Sequence, residues 1–234
     1  MPASNTLQNA PLQGKDLLTP IQRSFLSAFS QIKDQTQFYL TGGTALAEYY
    51  LGHRISLDLD FFTSVEDLIL PVSYQLEKLS SPTLQVTVIR RFATYVEFLV
   101  SDHQENLKVD LALDSPFRFE QPILTREGIW VNDYQDLRVD KLLAYYGRAE
   151  PRDAVDLFII LQNEPIEPLL TQSSQKDPGF DLYWFAIALN KSANFPDESE
   201  RWPVKMLVPF DPREIKRSFQ ARALEIMSDL RKSN

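Results

Sequence analysis

The chain has 234 residues, with 24 Lys+Arg against 32 Asp+Glu for a net charge of −8, and 44% of its residues are apolar. That composition belongs to a globular protein, and the complete absence of cysteine excludes disulfides, thiolate metal sites and cysteine nucleophiles. The acidic balance argues against a general electrostatic grip on nucleic acid, although a local basic patch could still hold a phosphate backbone.

Residues 1–18 contain no charged segment followed by an apolar run, so they read as a flexible arm and not as a signal peptide. No stretch approaches the ~20 apolar residues of a membrane span, and the expected location is the cytoplasm. Thr19-Pro20 reads as a helix cap with proline at the first helical position, followed by Ile21, Phe25, Ala28, Phe29 and Ile32 at helical spacing. The run 37–41 predicts a short strand that stops at Gly42-Gly43, and 44–51 predicts a helix opening directly out of that turn. A strand over 57–62 and a helix from Ser64 to about Leu79 come next. Three β-rich runs follow, at 83–91, 94–100 and 106–114.

From Asp133 the apolar period is helical, with a break expected at Gly147 and a restart at Pro151. The Pro-, Gln- and Ser-rich stretch 163–179 predicts a linker, and two further helices are expected over 181–190 and from Pro212 to about Leu230. Strands first and helices after predict an α+β fold. A mixed β-sheet core flanked by helices would occupy 19–132 and a helical region 133–234.

The chemistry concentrates in TGGTALAEYYLGHRISLDLDFF. Residues two apart in a strand share a face, so Asp58 and Asp60 should project together while Leu57, Leu59 and Phe61 point into a core. In NLKVDLAL, Leu107, Val109, Leu111 and Leu113 make the apolar face and leave Asp110 on the polar one. If these strands are neighbours, three carboxylates meet, and like charges that close need a cation. Oxygen donors without cysteine select Mg²⁺ or Mn²⁺. The turn Gly42-Gly43-Thr44 lets backbone approach a ligand and directs free N–H groups at an anion such as a triphosphate. A glycine pair alone would be an ordinary turn, and a lone Asp-x-Asp a solvated strand face. The combination is what points to phosphoryl or nucleotidyl transfer.

These residues resemble the AbiEii/AbiGii toxin family of nucleotidyltransferases, within the DNA polymerase beta-like superfamily. The resemblance rests on the Gly-Gly-Thr turn, the Gly-His-Arg-x-Ser-x-Asp-x-Asp run and the trailing Phe-Phe. A second feature is Lys141 followed by Arg152, Asp153, Asp156 and Leu157, so that roughly residues 38–162 are covered. It implies a metal-dependent enzyme that moves a nucleoside monophosphate from an NTP to a hydroxyl acceptor, either an RNA or tRNA 3′ end or a protein. It also implies a toxin with a cognate antitoxin.

Carried over residue by residue, Gly42, Gly43 and Thr44 would touch the nucleotide phosphates, and Asp58, Asp60 and Asp110 would hold the metal. Lys141 would neutralise the outer phosphates, and Asp156 would orient Lys141 or the nucleotide. Arg54 and Ser56 would brace the turn ahead of Asp58. Asp153 with Arg152 reads equally as a charge pair at a helix start. His53, with no acidic partner in view, reads as structural.

Two alternatives remain at this level. One is a non-catalytic nucleotide- or partner-binding protein on a retired nucleotidyltransferase scaffold, which should have lost its carboxylates. The other is a metal-dependent nuclease, which has no need of the glycine turn or the lysine. Should the acceptor be RNA, Arg90, Arg91, Arg126, Arg138, Arg148, Arg213, Lys216 and Arg217 are the basic residues available to hold it.

Overall fold

Thr19 opens the first helix, α1 (Pro20–Phe29), through a reciprocal capping box with Gln22 that satisfies N–H groups left without partners inside the helix. In the computed structural model, which describes residues 10–232, the buried side of α1 lays Phe25 and Phe29 on Phe61 of the central sheet, with the Phe29 and Phe61 rings stacked 4.1 Å apart. The chain then runs through β1 (Tyr39–Thr41), the short α2 (Gly42–Ala45), a π-helical turn over Leu46–Leu51, β2 (Arg54–Ile55), β3 (Leu59–Thr63) and α3 (Ile69–Glu77). The strands β4 (Gln85–Phe92), β5 (Tyr95–Ser101), β6 (Asn106–Leu113), β7 (Ile123–Leu124) and β8 (Trp130–Val131) follow. Helices then take over as α4 (Tyr134–Arg148), α5 (Pro151–Asn163), α6 (Ile166–Lys176) and α7 (Leu182–Asn190), with β9 (Lys205–Met206) ahead of α8 (Pro212–Lys232).

Seven strands form one mixed sheet in the order β4-β5-β6-β3-β1-β8-β7, and β2 pairs with β9 in a separate ribbon. β3 runs parallel to β6 and antiparallel to β1. The alternation of β3 and β6 buries Leu59, Phe61, Leu107, Val109 and Leu111 on one face and leaves Asp60 and Asp110 on the other. The expected α+β architecture is therefore the observed one.

Several local expectations differ. β3 starts at Leu59, so Leu57 and Asp58 lie in the approach to the strand, and Leu57 is 62% exposed where a core position was expected. The helix after β1 begins at Gly42 itself. α4 runs through Gly147, since one helical glycine costs only ~1 kcal/mol against alanine, and it ends where Ala149 turns left-handed just ahead of Pro151. The expected linker is largely α6, which buries Ile166, Leu169 and Ser173; its polar residues are the outer face of an amphipathic helix.

Of the expected arm, residues 1–9 lie outside the described residues. From residue 10 onward the segment is docked: Leu12 bridges to Thr125, and the N–H groups of Asp16 and Leu17 donate to the Glu48 carboxylate. The two-residue strands β2, β7, β8 and β9 are too short to leave a period in the sequence.

Candidate active site

β1 delivers the chain to Gly42, whose φ of +69° turns it into α2. Thr41 pairs in register with Asp60, and Asp60 pairs in register with Asp110 on the parallel strand beside it. Residues directly opposite on neighbouring strands share a face, so the Asp60 and Asp110 side chains stand side by side next to the glycine turn. A Cβ on Gly42 would lie 2.1 Å from Asp60 Oδ2, and one on Gly43 would lie 2.4 Å from Arg54 Nη2. A side chain at either position would have to push aside the end of Asp60 or Arg54, and at Gly42 the positive φ favours glycine as well.

The carboxylates sit in a crowded field. Desolvation, reinforced by Asp110 and Asp58 and opposed by Lys141 and Lys108, pushes the Asp60 carboxyl up to about 6. Asp110 accepts from Lys108 Nζ at 2.6 Å and from the Tyr95 hydroxyl at 3.0 Å. Asp58 is more open, with Arg152 Nη1 3.6 Å from its Oδ2. Among the described residues no three acidic or histidine side chains already stand as a gathered metal cage. The donor set nevertheless fits a divalent cation: it is all oxygen, and the repulsion of Asp110 and Asp58 adds to burial in raising Asp60.

The Thr44 side chain is engaged by the protein itself. It is buried, and its hydroxyl donates to the carbonyl of Asp58, so its side chain holds the Asp58 loop to the glycine-turn helix. Asp156 gathers Arg54, His53 and Lys141 around itself. It is fully buried, accepts from Arg54 Nε (2.6 Å) and His53 Nε2 (2.7 Å) on Oδ1, and accepts from Arg54 Nη2 (2.9 Å) on Oδ2. Lys141 Nζ stands 2.8 Å from the same Oδ2. Burial opposes ionisation of Asp156, but Lys141 and Arg54 outweigh it and hold the carboxyl well below the usual carboxylate range. Asp153 binds Arg148 through both oxygens, at 2.6 and 2.8 Å. His53 thus has an acidic partner after all, supplied by a helix 103 residues further on.

These groups surround a cavity of about 740 Å³ that Gly42, Gly43, Asp58, Asp60, Asp110 and Lys141 all line, with Lys108, Asp114, Asp140, Arg148 and Lys205 joining them. Of these five, Arg148 was expected only as a basic residue for an acceptor RNA, and the other four carried no expected role. Lys108 could have been found from its two-residue offset to Asp110. Lys205 arrives through a tertiary pairing that leaves no local signal.

A family profile described as nucleotidyl transferase AbiEii toxin, type IV toxin–antitoxin system, matches residues 24–177. That is more than half of the chain, and it includes the glycine turn, the three aspartates, Lys141 and Asp156. The chain belongs to the AbiEii family. It is accordingly a nucleotidyltransferase of the toxin type, as the motif predicted.

Solved structures agree at the level of fold. A Helicobacter pylori protein assigned as a nucleotidyltransferase superposes with a TM-score of 0.61 at 16% identity, covering 92% of this chain and 95% of that one. MenT4, a nucleotidyltransferase toxin of Mycobacterium tuberculosis H37Rv, gives 0.58 at 16% identity, covering 88% and 81%. No curated protein matches this AbiEii-family chain in sequence, and none of its described helices is long and apolar enough to cross a membrane.

Much of the basic surface is already engaged. Arg91 pairs with Glu77, Arg138 with Glu164, Arg148 with Asp153 and Lys216 with Asp197, whereas Arg126, Arg213 and Arg217 are exposed.

Proposed function

We propose that this AbiEii-family enzyme transfers a nucleoside monophosphate from an NTP to a hydroxyl acceptor, an RNA such as a tRNA 3′ end or a protein, with Mg²⁺ or Mn²⁺ held by Asp58, Asp60 and Asp110. The observation that carries this reading is the register pairing of Asp60 with Asp110 directly beside a glycine turn packed against the ends of Asp60 and Arg54. Bound there, a divalent cation would neutralise phosphate charge and favour the deprotonated form of the attacking hydroxyl.

The chain's own groups do the positioning. Gly42 and Gly43 bring backbone N–H groups against the phosphates, because any side chain would displace Asp60 or Arg54. Lys141 presents a positive charge to the outer phosphates. Asp156 is a positioning residue that fixes Lys141 and Arg54 from below the cavity floor, and Thr44 fixes the loop that carries Asp58. An enzyme that consumes NTPs is expected to work in the cytoplasm, and the toxin family supplies the expectation of a cognate antitoxin.

A second reading, a non-catalytic binding protein, is favoured by one observation: Lys108 and Arg152 already stand beside Asp110 and Asp58, as built-in cations would. Incubation with Mg²⁺, each α-labelled NTP in turn, and total RNA or protein separates the two. Label transferred to one acceptor class supports the enzyme and identifies the acceptor. Tight NTP binding without any transfer supports the second reading.

A further inference from the structure

We infer that Lys205 is a phosphate-binding residue of the active-site cavity, contributed by a C-terminal segment beyond the part of the chain that the family profile matches. The inference rests on the nucleotidyl-transfer reading of that cavity and adds a contact to it.

β9 pairs antiparallel with β2, Met206 opposite Arg54 and Lys205 opposite Ile55, and the Leu207 N–H donates to the His53 carbonyl at 2.9 Å. β2 is rigid at this point because the Arg54 guanidinium is locked onto buried Asp156. A segment from between α7 and α8 is thereby held at a fixed register beside the loop that carries Asp58. Pro203, Val204 and Lys205 line the same cavity as Asp58 and Asp60. Side chains directly opposite on paired strands lie on one face, and both Ile55 and Lys205 border the cavity.

The charge inventory of the cavity gives the role. Arg54 and Lys141 share Asp156, Arg148 is held by Asp153, Arg152 by Glu150 and Asp58, and Lys108 by Asp110. Each of these cations meets an incoming phosphate with its charge already offset by a carboxylate. Lys205 is exposed, and among the described residues its side chain makes no hydrogen bond or ion pair. An ammonium free of a carboxylate, on a flexible stem at the cavity wall, is the group that an added polyphosphate charge recruits at least cost. The phosphate can come from the NTP or from the backbone of an acceptor RNA strand, since both present the same oxygens.

The test uses the full chain and the variants Lys205→Ala and Lys205→Arg. The dissociation constant of a non-hydrolysable NTP with Mg²⁺ is measured by calorimetry, and the KM for acceptor by labelled transfer. A charge-assisted contact predicts a loss of about tenfold in Lys205→Ala, largely restored in Lys205→Arg, with an unchanged melting temperature. A loss confined to the NTP constant assigns the phosphate to the nucleotide, and a loss confined to acceptor KM assigns it to the RNA. Wild-type values for both in Lys205→Ala overturn the inference, as does an equal loss in both variants. Wild-type protein that binds no NTP removes the nucleotidyl-transfer reading itself, an outcome distinct from an intact enzyme indifferent to Lys205.

Discussion

Gly42 and Asp60 are packed so closely that a Cβ on the glycine would fall 2.1 Å from the carboxylate Oδ2 and 3.0 Å from Cγ. The positive φ of Gly42 adds a second reason for glycine, since a side chain there costs roughly 1–2 kcal/mol. Gly42→Ala should therefore lower the melting temperature by only a few degrees, because the Asp60 side chain can rotate away. Displacing Asp60 should remove transfer almost entirely. Melting and transfer measured on the same preparation check this, and a variant that loses stability and activity in proportion would contradict it.

Asp156 should dominate stability near the site. Asp156→Ala leaves Arg54, Lys141 and His53 around an uncompensated hole, and breaking a buried ion pair on one side costs about 3–5 kcal/mol. Because the folded carboxyl is held below its ordinary value, its stabilisation is fully present above the unfolded pKa of ~3.9 and is lost as pH falls toward the lower folded value. The stability gap between wild type and Asp156→Asn, from denaturant curves, should be full at neutral pH and close in acid below about pH 4. A gap that persists undiminished there would contradict the network.

Removal of charge at the metal face should have the opposite sign. Asp60→Asn relieves repulsion with Asp110 and Asp58, so the metal-free variant should melt at or above wild type. Leu59→Ala, one residue away but fully buried, should cost ~2–5 kcal/mol. Added Mg²⁺ should raise the melting temperature of wild type and leave that of Asp60→Asn unchanged. An equal Mg²⁺ response in both would place the metal elsewhere.

Lys141→Ala should weaken NTP binding more than NMP binding, because the lysine is assigned to the outer phosphates. Calorimetry with both nucleotides gives the comparison, and equal losses would move Lys141 away from the triphosphate.

The sequence showed most clearly what is local. The glycine turn, Asp58 and Asp60 sit within one short stretch, and the alternation around Asp110 revealed its face without any partner. What it hid depends on distant contacts: Asp156 meets Arg54 across 102 residues and His53 across 103, so the acidic partner of His53 could not be seen. Leu57 looked like a core residue because alternation was extended one pair too far back from β3. Helix α6 was hidden by its own solvent face, since glutamine and serine carry the same composition in a linker and on the outside of a helix.

The most direct test of nucleotidyl transfer at this site compares wild type and Asp60→Asn, both shown to be folded by melting, for transfer of α-label from NTP to acceptor in the presence of Mg²⁺. The expected result is label on the acceptor with wild type and its loss in the variant, with the fold retained. Undiminished transfer by folded Asp60→Asn would contradict the assignment of Asp60, Asp110 and the glycine turn as the reaction centre.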